Sequence, residues 1–187
     1  LQCPACEGQL EVDGAFLRCH DLMCDARTSR SILYWCRALE MDGIGEKLVE
    51  QLLDQELITS IPDLFRLQQS QLENMERMGE KSALNVLNEL NKVKTLSLGK
   101  FLHALGLPGI GPELATSVAQ HCGDFASLLQ WVQDAFATQG EENFGPSADE
   151  KGKQYSENQA IRSLCEVEGI GSKVAVQVRD GLSKRKD

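Results

Sequence analysis

The chain has 187 residues, 42% of them hydrophobic, 25% charged and only 5% aromatic, with a formal net charge of −9. That length can bury a core with a small stapled module beside it, and the few aromatics leave the core to Leu, Ile, Val, Ala and Met. No apolar run approaches about 18 residues, which excludes a membrane-spanning helix, and the lack of a basic-then-apolar leader reads as intracellular.

A net acidic sum argues at face value against a nucleic-acid partner. The charge is uneven, however: −2 over residues 1–30, −5 over 31–132, −4 over 133–160 and +2 over 161–187. Nearly half of the deficit sits in one short acidic segment. No broad basic stripe is visible, so binding to a polyanion would need something other than massed Lys and Arg.

The first four cysteines, Cys3, Cys6, Cys19 and Cys24, form Cys-x2-Cys-x12-Cys-x4-Cys, with "CPAC" and "CHDLMC" as its halves. Two thiolates two residues apart can grip one ion from a tight turn, and a second turn closes the tetrahedron. The stretch between them, "GQLEVDGAFLRC", alternates as a short hairpin turning at Asp13-Gly14. So few residues cannot order themselves on their own core, which makes a structural Zn the expected source of order over residues 1–28. Two disulfides or unpaired buried thiols are the competing readings, and His20 could replace Cys19 as a ligand. A closed four-thiolate site leaves no position open for catalysis. Cys36, Cys122 and Cys165 fall in helical patterns as core residues. Leu1 is not an initiator Met and a candidate ligand already stands at Cys3, so the chain is expected to be part of a longer one.

Residues 29–187 read as helices with no further strand. Their patterns are "SRSILYWCRALE", "GEKLVEQLLDQ", "GEKSALNVLNELNKV", "SLGKFLHALG" with Ser97 as N-cap, "GPELATSVAQHCG", "DFASLLQWVQDAF" and "GSKVAVQVRDGL". Capped turns such as "SIPDLF" and "SQLENM" lie between them. A polar, acidic insert at about 138–158 is rich in turn formers and reads as a mobile loop.

One phrase recurs. "DGIGEKL" at 42–48 returns as "EGIGSKV" at 168–174, with "ERMGEKS" and "PGIGPEL" as relatives. The second glycine falls at 45, 79, 111 and 171, a repeat of about 33 residues broken once. Residues 42–54 and 168–180 share Gly, Ile, Gly, Lys, Gln and Asp, the mark of a duplicated unit.

In a helix–hairpin–helix the apolar residue between the glycines, such as Ile44 or Ile170, plugs the turn into the core. Glycines at 43, 45, 79, 109, 111, 169 and 171 allow the turn and keep side chains away from an incoming anion. The second helix starts there with unpaired N–H groups at the positive end of its dipole, which suits a phosphate. Lys47, Lys81 and Lys173 add a point charge at the rim. The fold expected is all-α: two paired helix–hairpin–helix units behind a four-cysteine zinc knuckle. Its expected partner is the phosphate backbone of DNA. Arg77 in place of a first glycine hinders approach at the second hairpin. Pro112 and Glu113 remove an N–H and the Lys at the third. The first and fourth hairpins are expected to be strongest.

"CPAC", "CHDLMC", "ALEMDGIGEKLVEQLL", "LENMERMGEKSALNVLNEL", "LGKFLHALGLPGIG" and "LCEVEGIG" together resemble the zinc-finger and helix–hairpin–helix region of the NAD-dependent bacterial DNA ligases, over nearly the whole chain. Arg77 and an insert of roughly 27 residues before the fourth repeat depart from that pattern. The resemblance implies a parent enzyme that adenylates itself from NAD and seals nicks in replication and repair, in the bacterial cytoplasm at the nucleoid. The Lys-x-Asp-Gly adenylation signature is absent here, so this stretch alone is expected to be non-catalytic. NAD would belong to adenylation domains joined in cis, and OB and BRCT domains are likewise outside these residues. What the resemblance leaves is a clamp on duplex or nicked DNA that reads no sequence. A free-standing module that docks on protein, with purely structural hairpins, is the alternative.

Overall fold

The computed structural model describes residues 1–13, 15–19, 24–137, 144–148, 154–156 and 158–183. Two units divide the chain, Leu1–Thr95 and Leu96–Asp187. Each carries two helix–hairpin–helix repeats.

The first unit opens on strands β1 (Leu10–Asp13) and β2 (Phe16–Cys19), antiparallel, with Leu10 opposite Cys19 and Asp13 opposite Phe16. This is the expected hairpin; Gly14 of its turn and His20 lie outside the described residues. Helix α1 (Asp25–Ala38) begins directly after Cys24, four residues earlier than the apolar pattern from Ser29 suggests. Then come α2 (Glu46–Asp54), α3 (Ile61–Leu64), α4 (Gln69–Glu73) and α5 (Glu80–Lys92). Segments expected as turns are thus one-turn helices, with side-chain hydrogen bonds fixing the residues that lead into them. Asp63 Oδ2 accepts from the Thr59 N–H and hydroxyl, both at 3.0 Å, and from the Ser60 hydroxyl at 2.8 Å. Gln71 Oε1 accepts from the Gln68 N–H at 2.8 Å.

The second unit holds α6 (Leu98–Ala104), α7 (Pro112–Cys122), α8 (Phe125–Ala137), β3 (Phe144–Ala148), β4 (Gln154–Ser156), α9 (Gln159–Leu164) and α10 (Ser172–Ser183). Ser97 caps α6, its Oγ accepting from the Lys100 N–H at 3.4 Å. The pair β3–β4 corrects the expectation of no strand beyond residue 30 and of a structureless insert. Its register passes from Phe144 opposite Ser156 to Ala148 opposite Gln154 through an irregularity that spans Gly145 and Pro146. Those two residues weaken a ladder and look like turn formers in the sequence, yet strands so close in the chain can pair around them. At the end of the insert, the buried Asn158 joins α8 to α9. Its Nδ2 donates to the Ala135 carbonyl at 2.9 Å, and its Oδ1 accepts from the Ala160 and Ile161 N–H groups at 3.0 and 3.2 Å. Trp131 Nε1 donates to the Ala160 carbonyl at 2.6 Å.

The four repeats share one burial register, counted from the second glycine. Four residues before it stand the buried Met41, Met75, Leu107 and Val167. One before it stand Ile44, Ile110 and Ile170, all buried, and the half-buried Met78. Four after it, Val49, Ala83, Ala115 and Ala175 have no exposed surface at all; seven after it come the buried Leu52, Val86, Val118 and Val178. The second helix therefore turns a stripe of small and branched residues inward, and the hairpin adds its plug. In the second unit these residues form one core with Leu102, Leu128, Trp131, Ile161 and Leu164.

Within each unit the two repeats face each other reciprocally. A Cβ on Gly109 would stand 3.5 Å from Val174 Cγ1 of α10, and one on Gly169 would stand 3.1 Å from Leu114 Cδ2 of α7. In the first unit a Cβ on Gly43 would meet Val86 of α5 at 3.4 Å, while the Glu76 N–H of the second hairpin donates to Gln51 Oε1 of α2 at 2.6 Å. Each hairpin touches the second helix of the repeat paired with it.

Candidate functional site

The β1–β2 hairpin and the N-cap of α1 bring Cys3, Cys6, Cys19 and Cys24 together, with all four Sγ atoms within 4.8 Å of one another. Cys3 and Cys24 are buried, and Cys6 and Cys19 half-buried. The Cys3–Cys24 and Cys6–Cys19 sulfurs are 3.9 and 3.5 Å apart. Disulfides would need about 2.05 Å, so neither pair is bonded. A tetrahedron with metal–sulfur arms of about 2.3 Å has edges of about 3.8 Å. The thiol set fits one ion.

Backbone N–H groups point at two of these sulfurs. The chain bends back after "CPAC" through Glu7 at φ 57°, with the Glu7 N–H bonded to the Cys3 carbonyl and the Cys3 N–H to the Gly8 carbonyl, both at 2.8 Å. The N–H groups of Ala5 and Cys6 point at the Cys3 sulfur and hold its pKa down to about 7. The Gly8 N–H acts the same way on Cys6, but lost hydration and the three neighbouring thiols outweigh it and push Cys6 up to about 12. Four thiols this close resist ionising together without a cation among them. Cys36, by contrast, is buried and pushed up to about 11 by that burial, an inert core thiol as the sequence suggests. Cys122, the last residue of α7, and Cys165, the C-cap of α9, are half-buried.

The hairpins give the two glycines of each phrase different work. At the first position the backbone is left-handed, with φ of 81° at Gly43, 75° at Gly109 and 87° at Gly169. Arg77 takes the same conformation at φ 61° without glycine's freedom. The second position is extended instead: Gly45, Gly79 and Gly111 have φ between −100° and −86° and serve as N-caps of α2, α5 and α7. Glycine is therefore not needed there for its dihedrals. It leaves space, since a Cβ on Gly45, Gly79, Gly111 or Gly171 would meet nothing within 4 Å. All four are exposed.

Each second glycine's carbonyl accepts the first helical bond, from Val49, Ala83, Ala115 and Ala175 at 2.9 to 3.1 Å. No side chain caps the N-termini of α2, α5 or α7, so their first-turn N–H groups face outward beside the bare glycine. In α7 one of them is lost to Pro112. Lys47, Lys81 and Lys173 are exposed, two residues on from their glycines, and Glu113 is exposed in the matching place of the third repeat. The plugs Ile44, Ile110 and Ile170 point away into the core. The sixteen expected residues thus fall into one sulfur cluster and four hairpins of one register.

Two contributors escaped the sequence reading: Gln51 and Gln177, six residues after the second glycine in the first and fourth repeats. Gln51 bonds the second hairpin, and Gln177 Oε1 lies 3.3 Å from where a Cβ on Gly109 would stand. The Gln shared by residues 42–54 and 168–180 was the available signal. Residues 37–92, from the last turn of α1 through α5, match the family model described as a SAM-like helix-hairpin-helix tandem.

Proposed function

We propose that this chain holds duplex DNA, nicked or intact, by its phosphate backbone and without regard to sequence. The observation that carries this reading is the fourfold recurrence of one exposed geometry: a bare second glycine opening a helix, at three of the four with an exposed Lys two residues on. The match of residues 37–92 to a helix-hairpin-helix tandem supports it. Oriented N–H groups at a helix start attract phosphate without dense cationic charge, which reconciles the reading with a net charge of −9. The four-cysteine module over residues 1–28 would hold one structural zinc and fix the start of α1, with residues 29–187 as the binding body.

The wider setting is that of an NAD-dependent DNA ligase, acting in replication and repair in a bacterial cytoplasm, with the remaining ligase domains in cis. The motif resemblance is its support. Adenylation from NAD would take place in those other domains.

A mobility-shift titration against nicked and intact duplexes of unrelated sequence, repeated over a range of salt, tests the reading. The log–log salt slope should be only about −2 to −4, against about −5 to −9 for a protein with six to ten cationic phosphate contacts. Affinity should not change with sequence. No shift at low salt would leave the hairpins structural and favour a protein-docking module.

A further inference from the structure

Gln51 makes a one-way latch in the first unit, and Gln177 stands at the matching place in the second. Gln51 of α2 accepts the Glu76 N–H at 2.6 Å, and Gln177 of α10 brings its Oε1 against Gly109. The matching residues of the other two repeats are built differently. That of the second repeat is Asn85, one methylene shorter. That of the third is Ser117, whose hydroxyl donates to the Glu113 carbonyl of its own helix at 3.2 Å. The hairpins reached are thus the second and third, the two whose sequences depart from Gly-Ile-Gly-x-Lys.

At the second hairpin the need is specific. Arg77 holds a left-handed conformation that Gly43, Gly109 and Gly169 adopt without a side chain. The plug that should anchor this turn, Met78, is only half-buried where Ile44, Ile110 and Ile170 are buried. The turn closes on a backbone bond from the Met78 N–H to the Met75 carbonyl at 3.1 Å. The Gln51 bond falls on Glu76, between those two ends and next to Arg77. We infer that Gln51 is a positioning residue: it holds the second hairpin in its left-handed turn despite Arg77 and so keeps the Gly79 and Lys81 face set for a phosphate. This rests on the DNA-backbone reading proposed above.

The test uses the full chain with Gln51→Met, which keeps length and helix propensity but offers only a weak sulfur acceptor, and Gln51→Glu, which keeps an oxygen acceptor. Amide hydrogen exchange is read at Met78, whose N–H Gln51 does not bond, and affinity for a duplex is read at low salt. In Q51M, Met78 should exchange about fivefold faster, the worth of one neutral hydrogen bond. Q51E should keep the wild-type exchange rate, and adding Arg77→Gly to Q51M should restore it. Affinity should fall several-fold in Q51M, and much less when Lys81 is already Ala. Unchanged exchange at Met78 in folded Q51M overturns the inference whatever DNA does. Faster exchange with unchanged affinity, in a protein that binds DNA, overturns the positioning role. Faster exchange in a chain whose wild type binds no DNA keeps the latch and sinks the DNA reading instead.

Discussion

Leu114 Cδ2 lies 3.1 Å from where a Cβ on Gly169 would stand. The fourth hairpin therefore rests so close to α7 that a side chain there would press on Leu114, and its backbone is left-handed at the same residue, φ 87°. Gly43 shares the left-handed turn, but a Cβ there would meet Val86 at an ordinary 3.4 Å. Gly43→Ala should cost about 1 kcal/mol through the dihedral alone, and Gly169→Ala more, about 2 kcal/mol, because Leu114 must also give way. Urea unfolding of the two variants checks the order; equal losses would mean that Leu114 moves aside freely.

Arg77 allows the opposite experiment. A left-handed non-glycine residue costs about 1–2 kcal/mol, while glycine gives back about 0.5–1 kcal/mol in chain entropy. Arg77→Gly should therefore stabilise the protein slightly, by about 0.5 kcal/mol, although it removes an exposed cation paired with Glu76. A clear loss in stability would show that the side chain supports the fold.

The second glycines separate binding from folding. Gly45 is extended, and Gly45 and Gly171 have open space at the Cβ, so Val at either place should fold normally by circular dichroism. Loss of a charge-assisted hydrogen bond corresponds to about tenfold in affinity, and Gly45→Val and Gly171→Val should weaken DNA binding by about that much. Gly79→Val should weaken it less, since Arg77 already replaces the first glycine of that hairpin. Equal losses at all three would make the second hairpin a full partner.

The cysteine cluster predicts one zinc per chain by elemental analysis of reduced protein. Cys24→Ser should release it and disorder the first thirty residues, while most of the helical circular dichroism signal persists. Structural zinc in small modules is the source of their folding, so chelation should have the same effect. Metal-free protein with an intact β1–β2 hairpin by NMR would refute this.

Asp63 should make the first unit acid-sensitive. Its hydrogen bonds from Ser60 and Thr59, with Arg66 nearby, lower its pKa from 3.8 to about 2. The folded-state value is depressed, so its stabilisation is complete above pH 3.8 and is lost as the pH falls towards 2. Asp63→Asn should flatten the stability profile between those two values. An unchanged slope would place the acid sensitivity elsewhere.

Much of this was legible because glycine, cysteine and the apolar period each leave a local mark. The spacing of the four cysteines, the hairpin at Asp13, the Ser97 cap and the four hairpins follow from chemistry within a few residues. The rest depended on contacts between distant residues. That the first glycine bears the left-handed turn and the second only leaves space could not be read from Gly-Ile-Gly, which is symmetrical on paper. Gln51 looked like any polar residue on a helix until its reach to Glu76 was visible. The short helix α9 and the strands β3 and β4 were hidden because polar composition in the insert outweighed the pairing and capping that organise its edges.

The tie between Asn158 and Ala135 sets the ends of the insert side by side, whatever lies between them. Once two points of a chain are pinned, the entropic cost of the segment joining them grows only slowly with length, by about 0.6 kcal/mol per doubling. The 20 residues from 138 to 157 are therefore a place where this sequence can gain or lose length with little effect on either neighbouring helix. A peptide tag, a fluorophore site or a second binding module spliced there would be carried by a repeat protein whose hairpins need not notice it.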